Sequence, residues 1–298
     1  MNTIPTIQEL VSGNRKALAR IISLVENESG GYESLLQQLP YSGTRVTGIT
    51  GPPGAGKSTL VDMLIENVTL QQKKVAVLCV DPSSPFHAGA LLGDRVRMNQ
   101  WYNHPDVFIR SLSSRGSLGG LNARMGEITD VVKAAGFDHI FIETVGVGQS
   151  EVEVAALADT TVVVLVPEAG DEIQSMKAGL MEIADVFVVN KADRPGADLF
   201  IKNLRTMLSP DFHRQAAPIV KTIAPARVGI EELMEKIAHH GSVAGNEIKK
   251  MQLLTEKAYQ LIQKKRMMDI DKKFLRNELE QAMSKKDFNI YAWTAAHF

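Results

Sequence analysis

Cysteine is nearly missing from this sequence: among 298 residues there is one, Cys79, lying inside an apolar run. A disulfide within the chain is therefore excluded, and the position reads as a buried, reduced thiol that fits a reducing compartment. Charge of one dominant sign is missing too. Lys plus Arg number 33 and Asp plus Glu 34, a net charge of -1, so there is no global electrostatic case for nucleic acid or an anionic membrane as partner. No apolar run approaches the length needed to cross a bilayer, and Met1 to Leu10 lack the basic-then-apolar order of a signal segment, so a cytoplasmic location is expected. Internal repeats and low-complexity stretches are absent as well. What remains is 44% hydrophobic residues, enough for one large α/β domain with extensions.

The pattern divides the chain into three. Residues 1–42 read as a helical extension, with Ala17, Leu18, Ile21, Ile22 and Val25 on one face and Gly30-Gly31 as the stop. Residues 43–241 alternate strand and helix signals, with strands expected over Val46–Thr50, Val75–Val80, Val107–Ser111, His139–Glu143, Val162–Val166, Val186–Asn190 and Ile219–Thr222. Continuous apolar strands separated by helical patterns such as Leu121–Ala135 and Ile173–Ala184 imply a mainly parallel, doubly wound sheet covered on both faces. Ligands of such sheets bind at the carboxyl ends of the strands. Residues 242–298 form a C-terminal extension, within which Glu247–Met283 carries apolar positions at helical spacing with many Lys between them and reads as one or two long amphipathic helices. Periodicity alone leaves open whether they fold back or form a dimerisation arm.

The first strand runs into Gly51-Pro52-Pro53-Gly54-Ala55-Gly56-Lys57-Ser58-Thr59, and helical spacing resumes at Leu60, Val61, Leu64, Ile65 and Val68. This is the pattern of a phosphate-binding loop. Its glycines let successive N–H groups turn inward, Lys57 reaches β and γ phosphates, and the Ser58 hydroxyl can ligate Mg²⁺. The dipole of the following helix adds positive potential at the same point.

Other strand ends carry matching chemistry. Asn190-Lys191-Ala192-Asp193 is the arrangement that distinguishes guanine from adenine: a carboxylate at Asp193 accepts from guanine N1–H and its exocyclic amine, and adenine offers an acceptor there instead. GTP is the expected nucleotide, with the Lys191 stem covering the base. Thr222-Ile223-Ala224 occupies the place where a backbone N–H would meet guanine O6; a plain strand-to-helix turn is the alternative. Glu143 ends a strand and can hold Mg²⁺, while Gly146 allows a backbone N–H to approach the γ phosphate. Asp81 is assigned to the Mg²⁺ and water neighbourhood and Asp94 to a loop closing over it, against plainer roles as a turn former and a helix cap. Gln149 could orient an attacking water, or could simply begin a helix.

Taken together, the phosphate loop, Asp81-Pro-Ser-Ser-Pro-Phe, Leu92-Gly-Asp94-Arg-Val-Arg97-Met, Glu143-Thr-Val-Gly-Val-Gly-Gln-Ser-Glu151, Gly170-Asp-Glu-Ile-Gln174 and Asn190-Lys-Ala-Asp193 resemble one family closely. It is the methylmalonyl-CoA mutase-associated GTPases of the MeaB, MMAA or ArgK type, within the signal-recognition and MinD branch of P-loop proteins. The resemblance implies a GTP-hydrolysing, metallochaperone-like G protein that assists an adenosylcobalamin-dependent acyl-CoA mutase in cofactor loading, protection and reactivation. The cobalamin would be held by the partner, and this chain would bind GTP or GDP with Mg²⁺ through Ser58, Asp81, Asp94 and Glu143. It also implies a homodimer built partly on the C-terminal helices, and it places Lys177 in a loop that the mutase reorganises so that a cation reaches the nucleotide. The Glu at 143, where most regulatory GTPases have Asp, departs from the wider G-protein pattern.

Two other functions share parts of the pattern. A kinase acting on a periplasmic transport protein would use ATP, which Asp193 opposes. A nickel-delivery GTPase would carry a Cys and His cluster for its cargo. One Cys and His87, His104, His139, His213, His239, His240 and His297, scattered through the sequence, do not make one.

Overall fold

The computed structural model describes residues 4–81, 98–113, 122, 124–144, 150–169, 178–208, 217–242, 246–267, 270–283 and 288–297. Helices α1 (Ile7–Val11), α2 (Arg15–Glu26) and α3 (Tyr32–Gln37) precede the sheet. Polar side chains start the first two helices: Thr6 forms a capping box with Glu9, and Asn14 accepts from the Lys16 and Ala17 amides. The expected glycine stop is displaced. Helix α2 ends at Glu26, and Gly31, at φ 90°, instead begins α3 in the left-handed region.

From β1 (Arg45–Thr50) the chain alternates through α4 (Lys57–Leu70), β2 (Val75–Asp81), β3 (Val107–Ser113), α5 (Met125–Ala134), β4 (His139–Thr144), α6 (Ser150–Ala155), β5 (Thr160–Leu165), α7 (Ala178–Ile183), β6 (Val186–Val189), α8 (Ala197–Met207), β7 (Ile219–Lys221) and α9 (Ile230–Ser242). The seven strands lie in the order β3-β2-β4-β1-β5-β6-β7, and every pairing among them is parallel. The sequence has the physical reason. Strands such as Thr160-Thr-Val-Val-Val-Leu165 and Val186-Phe-Val-Val189 are buried along their whole length, as a sheet covered on both faces requires.

Alternate residues separate the two faces. Val75, Val77 and Cys79 of β2 and Phe141 of β4 pack with Leu60, Val61, Leu64 and Ile65 of α4 and Leu233 of α9. On the opposite face, Ala76, Leu78 and Val80 of β2 and Ile140 and Ile142 of β4 pack with α5 and with Leu18, Ile21, Ile22 and Val25 of α2. The N-terminal helices are thus part of the sheet's cover. Polar ties hold them there: Arg110 pairs with Glu26 at 3.2 Å, Arg124 pairs with Glu28, and Arg15 donates to the His104 carbonyl at 2.8 Å. At Gly48 in β1 a Cβ would lie 2.9 Å from Val154 and 3.1 Å from Ala158, so a glycine is needed for the α6 segment to sit this close.

Compact units divide after Lys250, giving residues 1–250 and 251–298. Helix α10 (Asn246–Arg266), α11 (Lys272–Ala282) and α12 (Ile290–His297) account for the amphipathic tail. Within the second unit Met251, Leu254, Tyr259, Leu261, Ile262 and Phe274 are exposed. None of the described helices is long and apolar enough to cross a membrane.

Candidate nucleotide site

Parallel pairing brings the ends of β1, β4, β5 and β6 to one edge, because Ile49 of β1 is level with Glu143 of β4 and Thr50 is level with Val163 of β5. The residues after β1 form a tight loop. Gly51, Gly54 and Gly56 have φ of 138°, 76° and 86°, values that an L side chain rarely adopts. A Cβ on Gly51 would collide with the Val164 carbonyl, and one on Gly56 would lie 2.5 Å from the Asn190 amide nitrogen. Gly51 and Gly56 are therefore required twice over, by conformation and by space, and Gly54 by conformation alone.

Lys57 opens α4 and is 6% exposed. Its ammonium donates to the Gly51 carbonyl at 2.8 Å and the Pro52 carbonyl at 3.0 Å, so the cation lies along the rim of the loop it follows. A buried ammonium needs acceptors, and a phosphate oxygen would compete for the same donors with greater charge. Next along α4, Ser58 donates to Glu143 Oε1 at 2.6 Å. Both side chains are buried, and Thr144 beside them donates to Thr50 Oγ1 at 2.9 Å. The Ser58 hydroxyl and the Glu143 carboxylate fit Mg²⁺, a hard cation that takes oxygen ligands and usually keeps water and phosphate for its other positions. Among the described residues no group of three or more His, Cys, Asp or Glu could hold a metal ion.

The Asn190–Asp193 segment is built on the phosphate loop. Asn190 donates to the Ala55 carbonyl at 2.9 Å, while its Oδ1 accepts from the Thr222 hydroxyl at 3.0 Å and the Ala224 amide at 3.3 Å. One buried amide thus joins three loops. Lys191, at φ 55°, donates to the Gly54 carbonyl at 2.8 Å, laying its stem beside the loop. Asp193 is exposed at the tip of this turn. The Ile223 amide bonds the Val228 carbonyl at 3.1 Å, so within Thr222-Ile223-Ala224 only the long Ala224 bond leaves an N–H that a base oxygen could win.

Lys57, Ser58, Glu143, Asn190, Lys191, Asp193 and Ala224 accordingly collect at one edge, with Pro53 and Thr59 in the loop and the helix around them. Asp81 is the last residue of β2, at the carboxyl end where it was expected. Asp94, Gly146, Gln149 and Lys177 lie outside the described residues.

Sequence reasoning passed over some contacts. Arg194 pairs with Glu168, just beyond β5, and Arg227 pairs with Glu66 of α4, which ties the turn after β7 to the phosphate-loop helix. Asp62 of α4 accepts from the Trp101 indole and, at 3.0 Å, from Gln100. The first of these had a signal: β5 and β6 are neighbours, so residues of opposite charge just past their ends face each other.

Comparison with known proteins places the chain in a family with this fold. The family model described as methylmalonyl Co-A mutase-associated GTPase MeaB matches residues 18–280. A Pyrococcus abyssi protein, one of the relatives that carry a GTPase name, is 49% identical over 241 residues, covering 78% of this chain and 74% of its own. A protein of Cupriavidus metallidurans named fused isobutyryl-CoA mutase is 39% identical over 198 residues, which are 64% of this chain and 18% of that one. Among solved structures, one described as LAO/AO transport system kinase is similar at TM-score 0.67 and 26% identity, covering 96% of this chain and 93% of that one.

Proposed function

This chain belongs to the methylmalonyl-CoA mutase-associated GTPase family and is a P-loop NTPase, and from that premise we propose that it hydrolyses GTP in the service of an adenosylcobalamin-dependent acyl-CoA mutase. The observation that carries the partner is the fused relative, in which a stretch 39% identical to this chain is part of a protein named isobutyryl-CoA mutase. Domains that occur fused in one protein commonly act together when separate.

The residues divide the work. The Gly51–Thr59 loop offers backbone N–H groups to phosphate, and Lys57 moves from its carbonyl contacts to the β and γ oxygens, where it stabilises charge developing on transfer. Ser58, Asp81, Asp94 and Glu143 would hold Mg²⁺, which would supply positive charge against the developing negative charge when bound. Asp193 accepts from guanine, Lys191 covers it, and the Ala224 amide meets its O6. Asn190 keeps base and phosphate segments in register. Gly146 would sense the γ phosphate. Lys177 would arrive at the nucleotide when the mutase engages. The exposed apolar positions of α10 support a homodimer through the C-terminal helices. No residue of this chain is assigned to cobalamin, which the partner would hold. A transport-protein kinase, the description on one solved neighbour, would need ATP, and Asp193 opposes adenine.

Affinity capture from native lysate with a non-hydrolysable GTP analogue tests the partnership. Recovery of a B12-dependent acyl-CoA mutase, lost when ATP analogue replaces GTP analogue, is expected; capture of a periplasmic transport protein instead would contradict the proposal.

A further inference from the structure

Asp193, the residue proposed to read guanine, sits in a turn between two cations. Lys191 precedes it and Arg194 follows it, and the Arg194 amide closes the turn on the Lys191 carbonyl at 3.0 Å. A guanidinium next to a carboxylate is a ready intramolecular partner, and bidentate pairing would fill the two acceptor oxygens that guanine N1–H and its exocyclic amine need. In this structure both cations are committed elsewhere. Lys191 donates to the phosphate loop at the Gly54 carbonyl, 2.8 Å away. Arg194 Nη1 is bound to Glu168, which lies in the 3-10 turn Pro167–Ala169 directly after β5. The Arg194 hydrogen bond first, then a backbone hydrogen bond, and only after these the Arg194 and Lys191 charges hold the Glu168 carboxyl below its ordinary range against a small opposing effect of burial.

We infer that Glu168 is a positioning residue for base recognition: it holds Arg194 away from Asp193, leaving the Asp193 carboxylate open to a guanine base. The inference rests on the assignment of Asp193 to guanine. Its physical content is a competition: Arg194 directly follows Asp193 in the chain, and its guanidinium is bound to Glu168 instead. The placement of Glu168 explains how it can. Strands β5 and β6 are hydrogen-bonded neighbours, with Leu165 level with Val189, so a residue three past Leu165 and one five past Val189 meet above the same edge. Both side chains are about half exposed, 45% for Arg194 and 50% for Glu168, which limits the strength of the pair and allows exchange between partners.

A competition predicts a pattern that a simple brace does not. Glu168→Gln frees Arg194 to pair with Asp193 and should weaken GDP and GTP binding by about threefold, the scale of an exposed ion pair. Arg194→Gln removes the competitor and should bind near the wild-type level. The double variant Glu168→Gln/Arg194→Gln should recover affinity, because the loss in the first variant comes from Arg194 itself. The turnover number at saturating GTP should stay unchanged throughout, so the effect is confined to affinity. Glu168→Asp, which keeps the charge, should rescue partly.

Titration of fluorescent GDP into each purified full-length variant, at low and at high salt, reads this out. Weakening in Glu168→Gln that is relieved by added salt and by the second substitution supports the inference. Equal weakening in both single variants with no recovery in the double, or no change in Glu168→Gln, overturns it while leaving guanine preference intact. A wild-type protein that binds ATP as tightly as GTP overturns the guanine assignment itself, and the inference with it.

Discussion

The Ser58 hydroxyl lies 2.6 Å from Glu143 Oε1, so the first turn of α4 and the end of β4 are joined by a short, buried hydrogen bond to a carboxylate. If these two oxygens hold Mg²⁺, neutralising the carboxylate should damage catalysis more than folding. Glu143→Gln keeps the shape and a polar contact but removes the charge. Hydrolysis is expected to fall by about 100-fold, the scale of losing one electrostatic stabiliser, with nucleotide binding in the presence of a chelator unchanged. Phosphate-release kinetics against Mg²⁺ concentration in wild type and variant check this.

Lys57 offers a second test, because its ammonium now rests on carbonyls of its own loop. Lys57→Ala removes the cation proposed to meet the β and γ phosphates, and Ser58→Ala removes a metal ligand. Turnover should drop by roughly 100-fold to 1,000-fold in Lys57→Ala and substantially in Ser58→Ala, while circular dichroism stays native. Wild-type turnover in either variant, with binding intact, would mean that the loop does not work as proposed.

In the proposed function, base choice turns on Asp193. Asp193→Asn exchanges an acceptor for a donor, so GTP should bind more weakly by a few kcal/mol, about the cost of unpaired polar groups in a site built for hydrogen bonds. Xanthosine triphosphate, with a carbonyl at position 2, should bind better to the variant than to wild type. Calorimetry with both nucleotides separates the outcomes; unchanged GTP affinity would remove Asp193 from the site.

The N-terminal helices give a stability prediction. Ile21 of α2 is fully buried in the apolar cluster shared with β2, β4 and α5. Ile21→Ala should cost about 2–5 kcal/mol, as for other large-to-small core substitutions. A loss below half a kilocalorie per mole in chemical denaturation would show that α2 is only loosely attached.

His139 supplies a pH dependence. Burial, and secondarily the Lys73 charge, lower its pKa, with Asp138 opposing. A base with a depressed folded-state pKa carries no penalty above its unfolded value, about 6.5. Below that value the unfolded chain takes up the proton more readily, so stability should fall as the pH is lowered through 6.5 toward the folded-state pKa and then level off. Replacing His139 by Gln should flatten this part of the curve, measured as denaturation midpoint against pH.

The sequence made the strand ends legible, and the reason is physical. Gly51–Ser58 and Asn190–Asp193 are short, their residue types follow the spacing of known phosphate-loop and guanine-reading motifs, and each directly follows a strand. The parallel pairing, and with it the gathering of these segments at the strand carboxyl ends, then followed from the alternation with helices, while the strand order did not. What stayed hidden depends on folding distance. Glu26 and Arg110 are 84 residues apart, and nothing local marks α2 as a cover of the sheet, since its apolar face would serve an extension equally well. Gly30-Gly31 looked like a stop, yet α2 ends four residues before Gly30, at Glu26. The joining role of Asn190 was also invisible, because its partners Ala55, Thr222 and Ala224 come together only in three dimensions.

Lys177 ties hydrolysis to the partner in the proposed function. If the mutase brings this cation to the γ phosphate, Lys177→Ala should lose most of the partner's stimulation of turnover, as when a supplied cation is withdrawn from phosphoryl transfer. Full stimulation in the variant, with a normal complex by gel filtration, would leave Lys177 without a catalytic part.

The most direct measurement is the initial rate of GTP hydrolysis by the purified protein with and without a stoichiometric adenosylcobalamin-dependent acyl-CoA mutase, with ATP run in parallel. Assistance to a mutase requires slow hydrolysis alone, a marked rise when the mutase is added, and no such rise with ATP. A mutase that forms a complex with this protein yet leaves its GTP turnover unchanged, or an equal rise with ATP, would contradict it.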